Sequence, residues 1–161
     1  MIETVKIQGD GYLVNGTMSV PNTEGNRHYQ EVLAWLSEGN IPEPEFTDAE
    51  LLTNAKRQKK EELDTAFQVA SKLPVTVGTK TYNGGKDSAQ ALRDYIQLVQ
   101  ESGGTEYQIW DTTNVISLYT LTEANAIKLA VGAAVAQEEF ILRNKKNLVD
   151  SALTVAEVEA I

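Results

Sequence analysis

The sequence predicts an α+β fold, an N-terminal β-meander plus helix followed by a mostly helical domain with short β-hairpins. Three observations predict it. Short runs rich in β-branched and aromatic residues flank turn chemistry at Asn15-Gly16, Gly78-Thr79 and Asp111-Thr112-Thr113-Asn114. The hydroxyl-x-x-acid spacing that caps helices opens helical stretches at Thr47 to Glu50 and Thr154 to Glu157. Between the meander and the long helices stands Ile41-Pro42-Glu43-Pro44-Glu45, where two prolines forbid a helix and force an extended chain. The organisation that follows is residues 1–40 as an N-terminal module, 41–47 as a Pro-containing linker, and 48–161 as a helical α+β domain.

Residues 3–20 read as the meander, with Gly9-Asp10-Gly11 as its first turn. Asn15-Gly16 makes the second, because a type I′ turn needs positive φ at both central residues and this pair supplies it. Asn26 or a neighbouring residue then caps a helix over about 27–38 in which Tyr29, Val32, Leu33 and Leu36 share a face, and Gly39-Asn40 ends it. The helix opened by Thr47 runs to about Lys72. Its first half is dominated by Lys56, Arg57, Lys59 and Lys60, its second by an apolar stripe of Leu63, Ala66, Phe67, Ala70 and Leu73, and Pro74 stops it.

Val75–Val77 and Lys80–Tyr82 form a second hairpin. Asn83-Gly84-Gly85 turns the chain into a helix over about 88–101 with Leu92, Ile96 and Val99 inward, and the Asp87 to Gln90 spacing reads as its capping box. Gly103-Gly104 terminates it. Tyr107–Trp110 and Val115–Tyr119 make a third hairpin. From Thr122 to about Asp150 the pattern is helical, with Ile127, Val131, Ala134, Ile141, Leu148 and Ala152 near a seven-residue rhythm. Thr154 then opens a short last helix.

Composition narrows function. The 161 residues carry 14 basic and 23 acidic side chains, a formal charge of −9, and such a surface repels the phosphate backbone that supplies most nucleic-acid affinity, so no nucleic-acid partner is expected. There is no cysteine, which removes disulfides and thiolate chemistry. No basic start is followed by a long apolar run, and no uncharged apolar stretch reaches about 18 residues, so neither export by a signal nor membrane insertion is expected.

Motifs that invite chemistry have simpler readings. Gly84-Gly85-Lys86 lacks the remaining pattern of a phosphate loop, with Lys80 and Asp87 where that loop needs glycine and a hydroxyl. His28 is the only histidine and has no second ligand in reach of sequence. Glu61-Glu62 and Glu138-Glu139 are adjacent on helices and point about 100° apart, so neither pair shares a substrate. Asp111 and Asn114 suit a side-chain-stabilised turn better than a calcium loop. No catalytic residue, cofactor or metal site is assigned and the chain is not expected to be an enzyme; the candidate interaction residues are Trp35, Lys56, Lys59, Lys60 and Trp110, rare aromatics and the one basic cluster.

Tyr12-Leu13-Val14-Asn15-Gly16-Thr17-Met18-Ser19-Val20-Pro21, with Arg27-His28-Tyr29-Gln30-Glu31-Val32-Leu33-Ala34-Trp35-Leu36 and Pro42-Glu43-Pro44, resembles a segment of small tail proteins of tailed bacteriophages, among them tail fibre and tail fibre assembly proteins. The rest of the chain, from Val75–Tyr82 through Ile109-Trp110-Asp111 to Thr154–Ile161, is similar to a domain of unknown function at the carboxyl end of such proteins. It departs from that pattern at Val115-Ile116, where an aromatic is favoured. The resemblance implies a virion structural protein of a phage tail, in the fibre, fibre base or baseplate, located in the virion tail and in the host cytoplasm during assembly. Its partners would be other phage tail proteins and further copies of itself, threefold assembly being common in tail fibres. The rival readings are a tail fibre assembly chaperone that leaves the particle and a glycan-binding receptor protein with aromatics around a groove. Contacts are expected through the Trp35 helix, the polar helix over 48–62 and the hairpin edges.

Overall fold

A computed structural model describes the whole chain, residues 1–161. The fold is α+β, with antiparallel strands first and then a mostly helical region carrying short hairpins. It divides into two compact units, Met1–Thr53 and Asn54–Ile161.

In the first unit β1 (Val5–Gln8), β2 (Gly11–Val14) and β3 (Met18–Pro21) form an antiparallel meander in sequence order. The first turn has positive φ at Gly9, and the second has it at both Asn15 (49°) and Gly16 (68°), as the Asn-Gly pair predicts. Thr17 N–H closes that turn on Val14 C=O at 3.1 Å, yet the ladder resumes with Val14 opposite Met18, so Thr17 is one residue more than a two-residue hairpin holds. Helix α1 (Arg27–Ser37) is capped by Asn26, whose side chain accepts from the amides of His28 and Tyr29, and it ends before Gly39 at φ 89°.

Val5, Val14 and Val20 from the sheet and Val32 from α1 make the buried core, with Tyr29, Trp35 and Leu36 packed against it. Leu33 turns outward instead of joining this face. The helix presents Val32 with its neighbours at three and four residues' spacing, Tyr29, Trp35 and Leu36, and Leu33 falls about 100° away. The segment expected as a linker lies along β1: Glu43 N–H donates to Val5 C=O at 2.8 Å and Ile7 N–H to Glu43 C=O at 2.9 Å, a parallel bridge on the edge of the meander. Two prolines keep it extended, and an extended chain can pair.

Helix α2 (Asp48–Ala70) opens on the predicted capping box, Glu50 N–H donating to Thr47 Oγ1 at 3.2 Å and Thr47 N–H to Glu50 Oε2 at 2.8 Å. In the second unit follow the hairpin β4 (Val75–Val77) and β5 (Lys80–Tyr82), helix α3 (Lys86–Glu101), the hairpin β6 (Tyr107–Trp110) and β7 (Ile116–Tyr119), helix α4 (Leu121–Ser151) and helix α5 (Val155–Glu159). Two-stranded ribbons are marginal alone in water. Here they close on α3 and α4 around Tyr82, Ile96, Tyr107, Ile109, Ala124, Ile127 and Val131.

Three expectations shift. Asp87 does not cap α3: the helix starts at Lys86 after Gly85 at φ 98°, no side chain caps it, and Gln90 bonds to Asp94 instead. Close backbone approach sets that start, since a Cβ on Gly84 would stand 2.0 Å from Leu73 O. Along α4, Val135 and Val149 are buried where Ile141 and Leu148 were expected, both of which are exposed. A seven-residue rhythm lags by about 20° per heptad on a straight helix, so over the three heptads from Ile127 to Leu148 the lag reaches roughly 60°, more than half of the roughly 100° between neighbours, and Val149 comes inward in place of Leu148. In α5, Thr154 accepts from Glu157 N–H, but the Glu157 carboxylate takes the Leu153 amide, one residue outside a regular box. The end of α3 behaves as predicted, with Gly103 N–H on Gln100 C=O and Gly104 N–H on Val99 C=O, the paired bonds of a Schellman motif.

Candidate interaction surface

The five candidate residues occupy four different environments. Trp35 is half-buried against the valine core of the first unit. The lysines of α2 have acceptors within the chain. Lys56 Nζ donates to Asp150 C=O at 2.8 Å and Lys60 Nζ to Asp150 Oδ1 at 2.5 Å, while Lys59 stands 3.9 Å from Glu62. Lys146 on α4 reaches back to Asp64 on α2 at 2.6 Å, so the basic stretch helps hold two helices of one unit together. All these pairs are partly exposed, where such bridges contribute at most about 1 kcal/mol each.

Trp110 differs from the other four. Strand alternation puts Tyr107 and Ile109 inward, and Gln108 and Trp110 outward. Its partner across the ladder is Ile116, and Gln108 faces Leu118, so Trp110, Ile116 and Leu118 share the outer face of the β6–β7 ribbon. Trp110 is 53% exposed and Leu118 59%, with Ile116 and the adjacent Val115 also open to solvent. Three large apolar side chains on one face of a two-stranded ribbon are a contiguous patch of the kind that marks interaction sites.

The ribbon is a firm platform. At its tip Asp111 Oδ1 accepts from Thr113 Oγ1 at 2.6 Å, Thr113 N–H at 2.9 Å and Val115 N–H at 3.1 Å, and Asn114 takes the left-handed conformation at φ 61°. The Thr113 hydroxyl first, then the Val115 amide, hold the Asp111 carboxyl below its ordinary value. Thr112 N–H donates to Thr81 C=O at 2.8 Å, and Lys80 Nζ bonds Ser117 Oγ, tying the tip to β5. Underneath, Tyr82 and Tyr119 share a hydroxyl–hydroxyl bond of 2.6 Å, and burial, followed by that bond, pushes the Tyr82 phenol upward.

Beside the patch lies a cleft of about 280 Å³ between β6 and α3, lined by Trp110, Tyr95, Leu92, Gln108, Asn83 and Ser88 among others. No carboxylate lines it. Tyr107, two residues before Ile109 on the same strand face, is buried in the core and does not line the cleft. His28 stands elsewhere, its Nδ1 3.1 Å from Glu31 Oε2, and Arg27 first, then His28, lower the Glu31 carboxyl. No group of three or more histidine or acidic side chains is placed to hold a metal ion, and no helix is long and apolar enough to cross a membrane.

Sequence reasoning missed Ile116 and Leu118. Half of the signal was there: Gln108 is polar and two residues from Trp110, which turns the tryptophan outward with it, whereas its cross-strand neighbours follow only from the register of β6 against β7. Comparison of the chain with protein-family models, with curated proteins and with solved structures gives no match.

Proposed function

We propose that the protein is a virion structural component of a bacteriophage tail, in the fibre, fibre base or baseplate, and that it works by protein–protein contacts. The observation that carries the contact-based reading is the exposed face of Trp110, Ile116 and Leu118, fixed on a ribbon whose tip is held by Asp111. A rigid aromatic beside aliphatic neighbours loses little conformational entropy on docking and has the make-up of an interface anchor. The resemblance of residues 10–46 to phage tail proteins supplies the setting. Mass spectrometry of purified, mature particles from the producing strain tests it, the expected result being this polypeptide at stoichiometric copy number. Its absence from particles while abundant in the lysate would replace the structural role with that of a fibre assembly chaperone.

A second reading, a glycan-binding receptor protein, draws on the cleft beside Trp110. Sugars stack their apolar faces on aromatic rings, and Asn83, Ser88 and Gln108 would supply the hydrogen bonds. A panel of bacterial cell-surface oligosaccharides titrated against Trp110 fluorescence in a Trp35→Phe background separates the two readings.

A further inference from the structure

We infer that the outer face of α4 is a self-complementary seam on which a second copy of this chain docks antiparallel. The inference is independent of the phage tail reading, because it rests on one helix alone. The inward face of α4 is accounted for by Ala124, Ile127, Val131, Val135 and Val149. On the opposite side Leu129, Ala133, Ala136 and Phe140 lie within roughly 60° of one another at about 100° per residue. Leu129 is 71% and Phe140 65% exposed, although both are large apolar side chains in the middle of a well-formed helix.

The order of these residues fixes the partner. Leu129, Ala133, Ala136 and Phe140 follow at intervals of four, three and four, a series that reads the same from either end. An antiparallel copy centred between Ala134 and Val135 therefore sets Leu129 beside Phe140 of the other copy and Ala133 beside its Ala136. Small residues at the centre let two axes cross closely, and large ones fill the space where the axes diverge. This is the isologous geometry of a twofold dimer.

Charge agrees with it. Lys128 and Glu139 are eleven residues apart, roughly 20° past three full turns, so they stand on one flank of the seam. In a twofold antiparallel pair a flank meets its own copy, which brings Lys128 to within about 3 Å, measured along the axis, of the level of Glu139 of the second copy, twice. Within the chain neither residue takes part in an ion pair, and Lys128 bonds only to Asn125. Gly132 adds a further sign. A glycine inside a helix costs about 1 kcal/mol relative to alanine. Nothing in the chain requires it, since an added Cβ would meet no atom within 4 Å, whereas a crossing helix gives it a use.

Sedimentation equilibrium of the full chain over a range of concentrations provides the first test, with a species of twice the 17.7 kDa chain mass expected. A monomer throughout, or a trimer, overturns the inference. Leu129→Glu and Phe140→Glu change exposed positions, so circular dichroism should be unaltered while the dissociation constant rises by about tenfold or more. Lys128→Glu or Glu139→Lys alone should weaken the dimer, and the double reversal should restore it. Because the chain has no cysteine, orientation can be read cleanly. Oxidising a mixture of Leu129→Cys and Phe140→Cys chains should give the mixed disulfide, since two copies of residue 129 lie about 16 Å apart along an antiparallel seam. Self-coupling of Leu129→Cys alone would show a parallel arrangement and overturn the proposal.

Discussion

The two units solve the same problem with different materials. The first buries only valines completely, Val5, Val14, Val20 and Val32, and keeps its aromatics at the rim, where Tyr12 and Tyr29 stack with ring centroids 6.3 Å apart. The second buries Tyr82 and Tyr107 with Ile96, Ile109 and Ile127, and adds a hydroxyl bond between Tyr82 and Tyr119. A three-stranded meander presents a continuous face that short β-branched side chains can cover. Two separate two-stranded ribbons leave larger gaps between sheet and helix, and larger side chains, Tyr82, Tyr107 and Ile109 from the strands and Ile96 from α3, fill them against the smaller inward face of α4. Backbone pairing and turns thus carry more of the specification in the first unit, side-chain volume more of it in the second.

Truncation of the two cores tests this division and should give the largest effects. Ile127→Ala removes a side chain that is 2% exposed at the centre of the second core and should cost about 2–5 kcal/mol. Val32→Ala removes less volume from the first and should cost about 2 kcal/mol. Urea unfolding reports each separately, with Trp35 as the reporter in a Trp110→Phe background and Trp110 in a Trp35→Phe background. Equal losses would break the comparison.

Backbone approach is the next test, expected on the order of 2–3 kcal/mol per site. A Cβ on Gly84 would stand 2.0 Å from Leu73 O, and one on Gly11 2.4 Å from Val20 O. Gly84→Ala and Gly11→Ala should therefore both destabilise, while Gly25→Ala, with open space at its Cβ position, should not. Gly11 lies in the β2–β3 ladder, so its loss should also disturb strand pairing, visible as lost amide protection in Met18–Val20.

Asn15 sharpens the contrast at a smaller scale. Its Oδ1 accepts from the amides of Glu3 at 2.8 Å and Thr4 at 3.0 Å, and its Nδ2 donates to Met1 C=O at 3.1 Å, tying the start of the chain to the second turn. Asn15→Gly keeps the positive φ and removes these bonds. It should cost about 1 kcal/mol and release amide protection at Glu3 and Thr4 in hydrogen exchange. Asp111 does a similar task in the second unit, but for residues within its own turn.

That last difference shows what a sequence discloses. Positive φ at Asn15-Gly16, the cap at Asn26, the capping box at Thr47 and the paired glycines after α3 are local chemistry, and each was legible. Asn15's hold on Met1 and Asp150's on Lys56 and Lys60 join residues far apart in the chain, and no window of sequence contains both partners. Leu148 and Ile141 were misplaced because a near seven-residue rhythm was followed along a straight helix, on which the inward position drifts. Asp87 to Gln90 had the spacing of a cap, but the closeness of Gly84 to Leu73 moved the helix start forward. Of the candidate surface, Trp110 was visible as a rare aromatic. Its companions Ile116 and Leu118 became visible only through the register of β6 against β7.

The smallest expected effects come from two capping boxes of matching geometry in the two units. Thr47 N–H donates to Glu50 Oε2 at 2.8 Å, and Thr120 N–H to Glu123 Oε2 at 2.8 Å. Thr120 was a missed signal, since Thr120-x-x-Glu123 has the spacing that marks a helix start one residue before the predicted one. Both carboxyls lie below their ordinary value because a backbone amide, then the threonine hydroxyl, bonds to the charged form. A lowered folded value means that the stabilisation is fully present above the unfolded value, near 4.5, and is lost as pH falls through the folded one. Glu123→Gln and Glu50→Gln should each flatten acid unfolding below that pH. At neutral pH, Thr120→Ala should cost about 1 kcal/mol. Thr47→Ala should cost less, because α4 buries Ala124 within its first turn, whereas the first fully buried side chain of α2 is Leu63. Fraying at the start of α4 therefore opens the second core, whereas the first turns of α2 hold partly buried side chains such as Leu52 and Ala55 but no buried one. Equal losses at the two thresholds would show that the entry to α2 is as tightly coupled to packing as the entry to α4.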